Sequence, residues 1–222
     1  MAALQNREAA IAALLASGAR VDARDKEGTT PLLAALAQRT GTSGTIKALL
    51  AAGAAVDAVD VNGTGAVLHA VTSERGEKAK TQLVAFLARR GAAVDVPRAG
   101  DGATPLRLAV QRNWVRLAAQ LVALGANAEQ RADAGSATLL CASVAAARLA
   151  LSEALLSAGA SPTSRCAPRS AVAAGGEDDT PRTRAVAARE FDLIVLLSGA
   201  VAAEAARAEA AAAAEAAPAT PA

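Results

Sequence analysis

The chain has very few aromatic residues: two phenylalanines, one tryptophan and no tyrosine among 222 residues. Hydrophobic residues make up 53% of the sequence, but a large share of them are alanines. Because aromatic side chains supply much of the area that a large core buries, this composition excludes such a core. Alanine instead favours short helices that pack closely.

Histidine, cysteine and long apolar runs are also scarce. His69 is the single histidine, so a metal site or catalytic dyad would need to be built without a second imidazole. Cys141 and Cys166 lack the spacing of metal ligands, and we expect both to be reduced thiols inside a cell. Outside the alanine-rich tail, no uncharged apolar run reaches the roughly 18 residues that a membrane-spanning helix needs.

Neither sign of charge dominates the sequence. The 23 basic and 21 acidic residues give a net charge of +2, and they are interspersed rather than gathered in blocks. A protein that binds nucleic acid usually carries a basic patch that contacts phosphates. We therefore do not expect nucleic acid as a partner.

A repeated Gly-Ala dipeptide organises the chain. Successive copies are separated by about 34 to 40 residues, which is the period range of repeat proteins. An apolar helical pattern precedes each copy, and the glycine suits the left-handed residue that ends a helix. The copies are Gly18-Ala19, Gly53-Ala54, Gly91-Ala92, Gly125-Ala126, Gly159-Ala160 and Gly199-Ala200.

Two of the units open with the pattern Gly-x-Thr-Pro-Leu, at 28–32 and 102–106. Thr30 and Thr104 are suited to cap the helix that follows, and a proline in the first turn loses no hydrogen bond. This order of signals resembles the ankyrin repeat. The resemblance implies an all-α repeat solenoid, an ankyrin array of helix-turn-helix units joined by β-hairpin loops.

The spacing divides the chain into a partial N-terminal repeat (1–24), repeats at 25–59, 60–98 and 99–131, a degenerate repeat (132–162), an insert with a C-terminal capping repeat (163–200), and an alanine-rich tail (201–222). The 60–98 repeat has a longer inter-helix loop. Residues 1–18 align without a gap on 108–125, which indicates that the chain starts inside the first helix of a repeat. We expect the last helix pair to finish at Gly199-Ala200, and the tail to be a fraying helix followed by disorder.

Three side chains in the repeats have a specific expected place. In the family, the histidine of Thr-Pro-Leu-His hydrogen-bonds between neighbouring loops, and the resemblance implies this role for His69, which lies one position late. Asn113 stands where the family usually has glycine, and asparagine tolerates a positive φ. Trp114 starts a second helix, either as an anchor for a partner or as a cover for the loops of adjacent repeats.

No pattern for a catalytic site is present. The segment 41–45 lacks the Gly-Lys-Ser/Thr ending of a phosphate-binding loop, and Ser143 has no nearby histidine to activate it. Asp22, Asp57, Asp60 and Asp95 recur after the Gly-Ala dipeptide, which indicates turns rather than an acid and base pair. We expect no enzyme activity, no metal and no cofactor.

In ankyrin repeats, loop tips and the first-helix surface form a concave face that recognises other proteins. The resemblance implies the same use of the corresponding positions here. On the loop tips these are Lys26, Glu27, Asn62 and Asp101. At the helix ends they are Gln38, Arg39, Glu74, Arg75, Gln111, Arg112 and Trp114.

Two functions remain open at this point. The first is a non-catalytic adaptor or scaffold that binds another protein, expected to be monomeric and cytoplasmic. The second is a regulatory ankyrin segment of a larger enzyme, channel or effector whose other domains are absent from this chain. The start of the sequence within a helix supports the second.

Overall fold

A computed structural model describes residues 8–38, 43–131, 137–164, 166 and 179–215. The helices in these ranges are α1 (Glu8–Ala16), α2 (Pro31–Ala37), α3 (Ser43–Ala51), α4 (Ala66–Thr72), α5 (Glu77–Ala88), α6 (Pro105–Gln111), α7 (Val115–Ala123), α8 (Leu139–Ala145), α9 (Leu149–Ser157), α10 (Pro181–Ala188) and α11 (Phe191–Glu215). From α2 onward, consecutive helices pack as helix-turn-helix pairs. The chain forms two compact units, Met1–Asn127 with α1 to α7 and Ala128–Ala222 with α8 to α11.

The first helix of most pairs begins at a threonine. The threonine oxygen accepts a hydrogen bond from the backbone N–H three residues later, which satisfies a group that the helix leaves unpaired. Three of these threonines are followed by a proline at the first helical position. The capping residues are Thr30, Thr104, Thr138 and Thr180.

Five of the six Gly-Ala glycines end a helix in the left-handed conformation, with φ between 85° and 93°. They are Gly18, Gly53, Gly91, Gly125 and Gly159. In the gap-free alignment of 1–18 on 108–125, the residues of α1 fall on the residues of α7. At these five glycines, the second helix of the repeat therefore ends where the sequence pattern predicted.

The sixth glycine, Gly199, does not end a helix, so the expected finish at Gly199-Ala200 is wrong. α11 runs through it to Glu215. Alanine has the highest helix propensity, and the alanines after Gly199 continue the helix. Glu204 also anchors this part of α11, because its carboxylate accepts hydrogen bonds from the hydroxyls of Ser161 and Thr163, at 2.8 and 3.1 Å. The expected disorder of the tail concerns residues 216–222, which lie outside the described residues.

The loops between helix pairs are turns with little strand character. Within the described ranges, the expected β-hairpins are reduced to two isolated antiparallel bridges, Val59 with Gly65 and Arg131 with Thr138. Most of the expected insert, 165 and 167–178, lies outside the described residues.

Carboxylates placed four residues after the Gly-Ala glycine join one repeat to the next. Within the first unit, Asp22 accepts a hydrogen bond from the N–H of Ala55 at 3.0 Å, and Asp95 accepts one from Asn127 at 3.1 Å. Within the second unit, Glu129 accepts one from Ser161 at 2.6 Å. The recurrence of acidic residues after the dipeptide thus marks contacts between repeats, which the interpretation of Asp22 and Asp95 as turn residues missed.

Cys141 and Cys166 form a disulfide, so the expectation of two reduced thiols is wrong. Both residues are fully buried in the second unit, Cys141 on α8 and Cys166 in the segment that follows α9. Twenty-five residues separate them in the sequence. The pairing could not be inferred from that spacing, because only the packing of the segment after α9 against α8 brings the two sulfurs together.

An apolar residue near the end of the first helix is buried in every pair except the last. In the first unit these residues are Leu36, Val71 and Val110, and in the second unit Val144 has the same position in its repeat. Val186, at the same position of α10, is 53% exposed. Phe191 and Val195 of α11 are 77% and 73% exposed, so the second unit leaves an apolar surface on its last helix pair.

Candidate partner-binding surface

The loop tips of the first unit are built around aspartates. Asp25 Oδ1 accepts hydrogen bonds from the N–H groups of Glu27 and Thr29, at 2.9 and 2.8 Å. Asp60 Oδ1 accepts the same pair from Asn62 and Thr64, at 2.9 and 2.8 Å. These bonds fold each loop back on itself and leave Lys26, Glu27 and Asn62 exposed at the tip.

Neighbouring loop tips are joined through their backbones. The N–H of Val61 donates to Glu27 O at 3.0 Å, and the N–H of Ala99 donates to Asn62 O at 2.8 Å. Gly28 suits this contact, because its φ is +70° and a Cβ there would lie within 3.1 Å of Val61 Cγ1. Three successive loops therefore form one connected row.

The third loop carries Asp101 in a different arrangement. Its carboxylate accepts a hydrogen bond from Arg98 Nε at 2.9 Å and one from the N–H of Ala103 at 3.0 Å. The hydrogen bonds from Arg98 and from the Ala103 backbone hold the pKa of Asp101 well below its usual range. Asp101 is exposed, so an ion pair with Arg98 stands at the end of the row.

His69 connects to a loop of its own repeat rather than to a neighbouring loop, which corrects the expected role. Its Nε2 lies 3.2 Å from Asp60 Oδ2. Burial lowers the pKa of His69, and the nearby Asp60 carboxylate opposes this shift. The pKa of Asp60 is lowered, because the hydrogen bonds from Thr64 and Asn62 outweigh the opposing effect of burial. The contact between His69 and Asp60 stabilises the second loop.

Arg75 is half-buried and supports the preceding repeat. Its guanidinium donates to Leu36 O at 2.8 Å and to Ala35 O at 3.3 Å, two carbonyls at the C-terminal end of α2. Such carbonyls lack partners within their own helix, so the arginine satisfies them. Burial lowers the pKa of Arg75.

Lys80 of α5, which lies against the C-terminal end of α4, was not selected from the sequence. It is only 2% exposed, its Nζ donates to Val71 O at 2.7 Å, and the ammonium lies 3.8 Å from the centre of the Trp114 ring. A sequence signal exists, since Lys80, Val84 and Leu87 follow the i, i+4, i+7 pattern of a buried helix face.

Trp114 starts the second helix as expected, at the N-cap of α7, and it is half-buried. The guanidinium of Arg112 lies 5.0 Å from the ring centre, which adds a second cation to the same aromatic ring. Asn113 has φ of 56°, as its position in the inter-helix turn predicted. Arg75, Arg112 and Trp114, which are widely spaced in the sequence, therefore surround Lys80.

The other expected positions at the helix ends are dispersed. Gln38 is half-buried beside the end of α2, while Glu74 and Gln111 are exposed in or before the inter-helix turns. Arg39 lies outside the described residues. Glu77, which sequence reasoning did not select, accepts a hydrogen bond from the Arg116 N–H at 2.8 Å and so caps α7 from the preceding repeat.

Two kinds of site are not found in the described part of the chain. No group of three or more histidine, cysteine or acidic residues is placed to hold a metal ion there. None of its helices is long and apolar enough to span a membrane.

Comparison with known proteins identifies the fold. No family model and no curated protein sequence matches the chain. The ankyrin repeat domain of human ASB11, a crystal structure, is similar over 90% of this chain and 81% of its own, with 27% sequence identity and a TM-score of 0.61. Ankyrin repeat arrays generally act as protein-interaction modules and are typically non-catalytic. The all-α repeat fold expected from the Gly-x-Thr-Pro-Leu units is confirmed, and this chain has the fold of an ankyrin repeat array.

Proposed function

We propose that the chain is a non-catalytic adaptor or scaffold that binds another protein through the loop-tip row, which we define as Lys26, Glu27, Asn62 and Asp101. The observation that carries this proposal is the pair of backbone hydrogen bonds, Val61 to Glu27 and Ala99 to Asn62, that connects three loops. Loops held on a rigid scaffold present side chains at a low entropic cost of binding. The loop-tip row has this property.

The proposed surface continues along the first helices to their other ends. Each of α2, α4 and α6 has seven residues, so a rise of about 10 Å separates the loop-tip row from the inter-helix turns. We include the helix-end residues of the sequence prediction in the proposal, with Arg112 and the Trp114 ring as its main contact. The full helix-end set is Gln38, Arg39, Glu74, Arg75, Gln111, Arg112 and Trp114.

The charges of the loop-tip row favour a protein over a nucleic acid. Lys26 is accompanied by the carboxylate of Glu27, and the carboxylate of Asp101 is paired with Arg98. The row therefore carries charges of both signs and lacks the basic patch that contacts phosphates. A protein surface with charges of both signs can match them, with affinity set by a few well-packed residues.

The test compares capture of proteins from the source lysate by the full chain and by a variant with Lys26, Glu27 and Asn62 changed to alanine. We expect one protein to be retained by the wild-type chain and lost by the variant, while circular dichroism remains helical. The matched control changes two exposed residues away from the row, Lys78 and Glu153, to alanine and should retain the partner. Equal retention by all three chains would contradict the loop-tip row as the binding surface.

A monomeric state completes the proposal, and the cytoplasmic location expected from the sequence is tested separately. Light scattering on the purified chain determines the mass in solution. For location, the disulfide argues against the cytoplasm, because disulfides persist mainly in oxidising compartments. Alkylation of cysteines in freshly lysed source cells decides the matter: labelled thiols at Cys141 and Cys166 support a cytoplasmic protein, and protected ones contradict it.

A further inference from the structure

A groove lies between the second helices α3 and α5 of the first unit, away from the loop-tip row. α1 packs along α3, and α5 packs along α7, but α3 and α5 leave a space of about 320 Å³ between them. Ile46, Leu83 and Phe86 give it an apolar lining, and Lys47 and Arg75 lie at its edges.

Leu83 is less buried than the equivalent residues of the two neighbouring second helices. It is half-buried, whereas the equivalent positions counted back from the closing glycine, Thr45 in α3 and Leu117 in α7, are fully buried. Phe86 is also half-buried. Two large apolar side chains therefore remain accessible in a concave place, where covering them would gain free energy.

The charge around the groove is positive. Lys47 is exposed on α3, and the Arg90 guanidinium lies 5.2 Å from the centre of the Phe86 ring. The sequence of α3 has no acidic residue, and Glu77 is the single one in α5. The Glu77 carboxylate bonds to the N–H groups of Arg116 and Leu117 at the start of α7, so it is directed toward the next repeat.

We propose that this groove is a second interaction site, which takes an acidic amphipathic helix of another protein. Apolar side chains spaced at i, i+4 and i+7 enter beside Leu83 and Phe86, and flanking glutamates or aspartates face Lys47 and Arg90. A helix is the matching shape, because the groove runs between two helices and the side-chain ridge of a third helix can pack into it. The small volume limits the contact to a few apolar side chains, so charge complementarity provides the selectivity.

The test uses two fluorescent helical peptides and the full chain. Both peptides carry leucine at i, i+4 and i+7; one has glutamate at the flanking positions and the other has lysine. We expect saturable binding of the glutamate peptide by fluorescence anisotropy, no binding of the lysine peptide, and weaker binding of the glutamate peptide at high salt. Lys47→Glu should weaken binding by roughly tenfold, since it replaces an attraction by a repulsion.

Leu83→Gln tests the apolar lining at nearly constant volume and should also weaken binding by about tenfold. The matched control is Lys78→Glu, an exposed residue of α5 that does not line the groove, and it should bind as the wild type does. Circular dichroism verifies that each variant is folded.

The proposal is overturned if the glutamate peptide does not bind, if both peptides bind equally, or if Lys47→Glu and Leu83→Gln leave its affinity unchanged. Displacement of the glutamate peptide by dodecanoate at a lower concentration than by unlabelled peptide would assign the groove to an acyl chain instead. The triple alanine variant of Lys26, Glu27 and Asn62 should bind the glutamate peptide normally, so failure of the loop-tip proposal and failure of this one give different results.

Discussion

Lys80 lies against the indole ring of Trp114, with the ammonium 3.8 Å from the ring centre, although the two residues belong to different repeats. The same ammonium donates to Val71 O at the end of α4. One buried cation thus joins the end of α4 to the start of α7 within the first unit. Burial lowers the pKa of Lys80, and the positive charges of Arg112 and Arg75 lower it further.

The stability of the protein should rise as the pH increases from about 8 to 10.5. Burial lowers the pKa of Lys80 from 10.5 to about 8, with Arg112 and Arg75 acting in the same direction. Between these values the unfolded chain binds the proton that the folded chain has lost, so raising the pH favours folding. The chain has no tyrosine, and its other lysines are Lys26, Lys47 and Lys78. Urea unfolding across this range measures the slope. Lys80→Met should abolish it, and Lys78→Met should retain it; a flat wild-type profile would contradict the prediction.

Stability should fall as the pH is lowered below about 6.5, because of His69. Burial lowers its pKa below 6.5 in the folded chain, despite the opposing charge of Asp60. The unfolded chain therefore takes up the proton first, which favours unfolding as the pH decreases through the folded-state pKa. Since His69 is the single histidine, NMR titration of its ring gives the folded pKa directly. Asp60→Asn should lower that pKa further, and an unchanged or higher value would refute the role of the pair.

Ala147→Gly should stabilise the second unit. Ala147 has φ of 51° in the turn between α8 and α9, a conformation that costs an L-residue with a Cβ about 1 to 2 kcal/mol. The greater flexibility of glycine in the unfolded chain offsets part of this, which leaves a gain of about 0.5 to 1 kcal/mol. Ala146→Gly is the matched control, because Ala146 has φ of −94° and should lose stability. Chemical denaturation distinguishes the two, and a loss in both variants would be evidence against strain at Ala147.

Reduction of the disulfide should destabilise the second unit. The bond closes a segment of 25 residues, for which loop-closure entropy predicts about 3 kcal/mol. We expect Cys166→Ala and wild type treated with dithiothreitol to unfold at similarly reduced temperatures in calorimetry. The variant should not respond to dithiothreitol. A wild-type melting temperature that is unaffected by reductant would show that the bond does not contribute.

Val144 and Val186 occupy the same position of their repeats but should differ in their contribution to stability. Val144 is 1% exposed and Val186 is 53% exposed. Val144→Ala should reduce the free energy of unfolding by about 2 kcal/mol through loss of buried methyl groups and the cavity that remains. Val186→Ala should change it by less than about 0.5 kcal/mol. Equal losses in urea denaturation would indicate that another surface covers Val186.

The helix-turn-helix array could be read from the sequence because its signals are local. Thr30 and Thr104 cap their helices by accepting a hydrogen bond from the N–H three residues later, and Gly53 and Gly125 end helices through their own positive φ. Asn113 was likewise predictable, since a positive φ is a property of one residue and its turn. Gly199 shows the limit of such signals: the same dipeptide lies within α11, where the alanines that follow and the hydrogen bonds of Glu204 continue the helix.

The candidate site was predictable in part. Lys26, Glu27 and Asn62 lie on exposed loop tips, as the repeat pattern indicated. Arg75 was expected at the surface, but it is half-buried on the carbonyls of α2, because its partners come from the preceding repeat. Lys80 was not selected at all, since its burial depends on Trp114 from the following repeat.

The order of the repeats, the caps and the places where most helices end follow from the sequence alone, because each depends on the backbone preferences of a few consecutive residues. The tertiary structure decided which residues meet across repeats: Lys80 with Trp114, Cys141 with Cys166, and Asp22 with the backbone of Ala55. It also decided that Val186 is exposed while Val144 is buried. These outcomes depend on the packing of one repeat against the next. Residues that are distant in the chain stabilise each other only once the repeats have stacked.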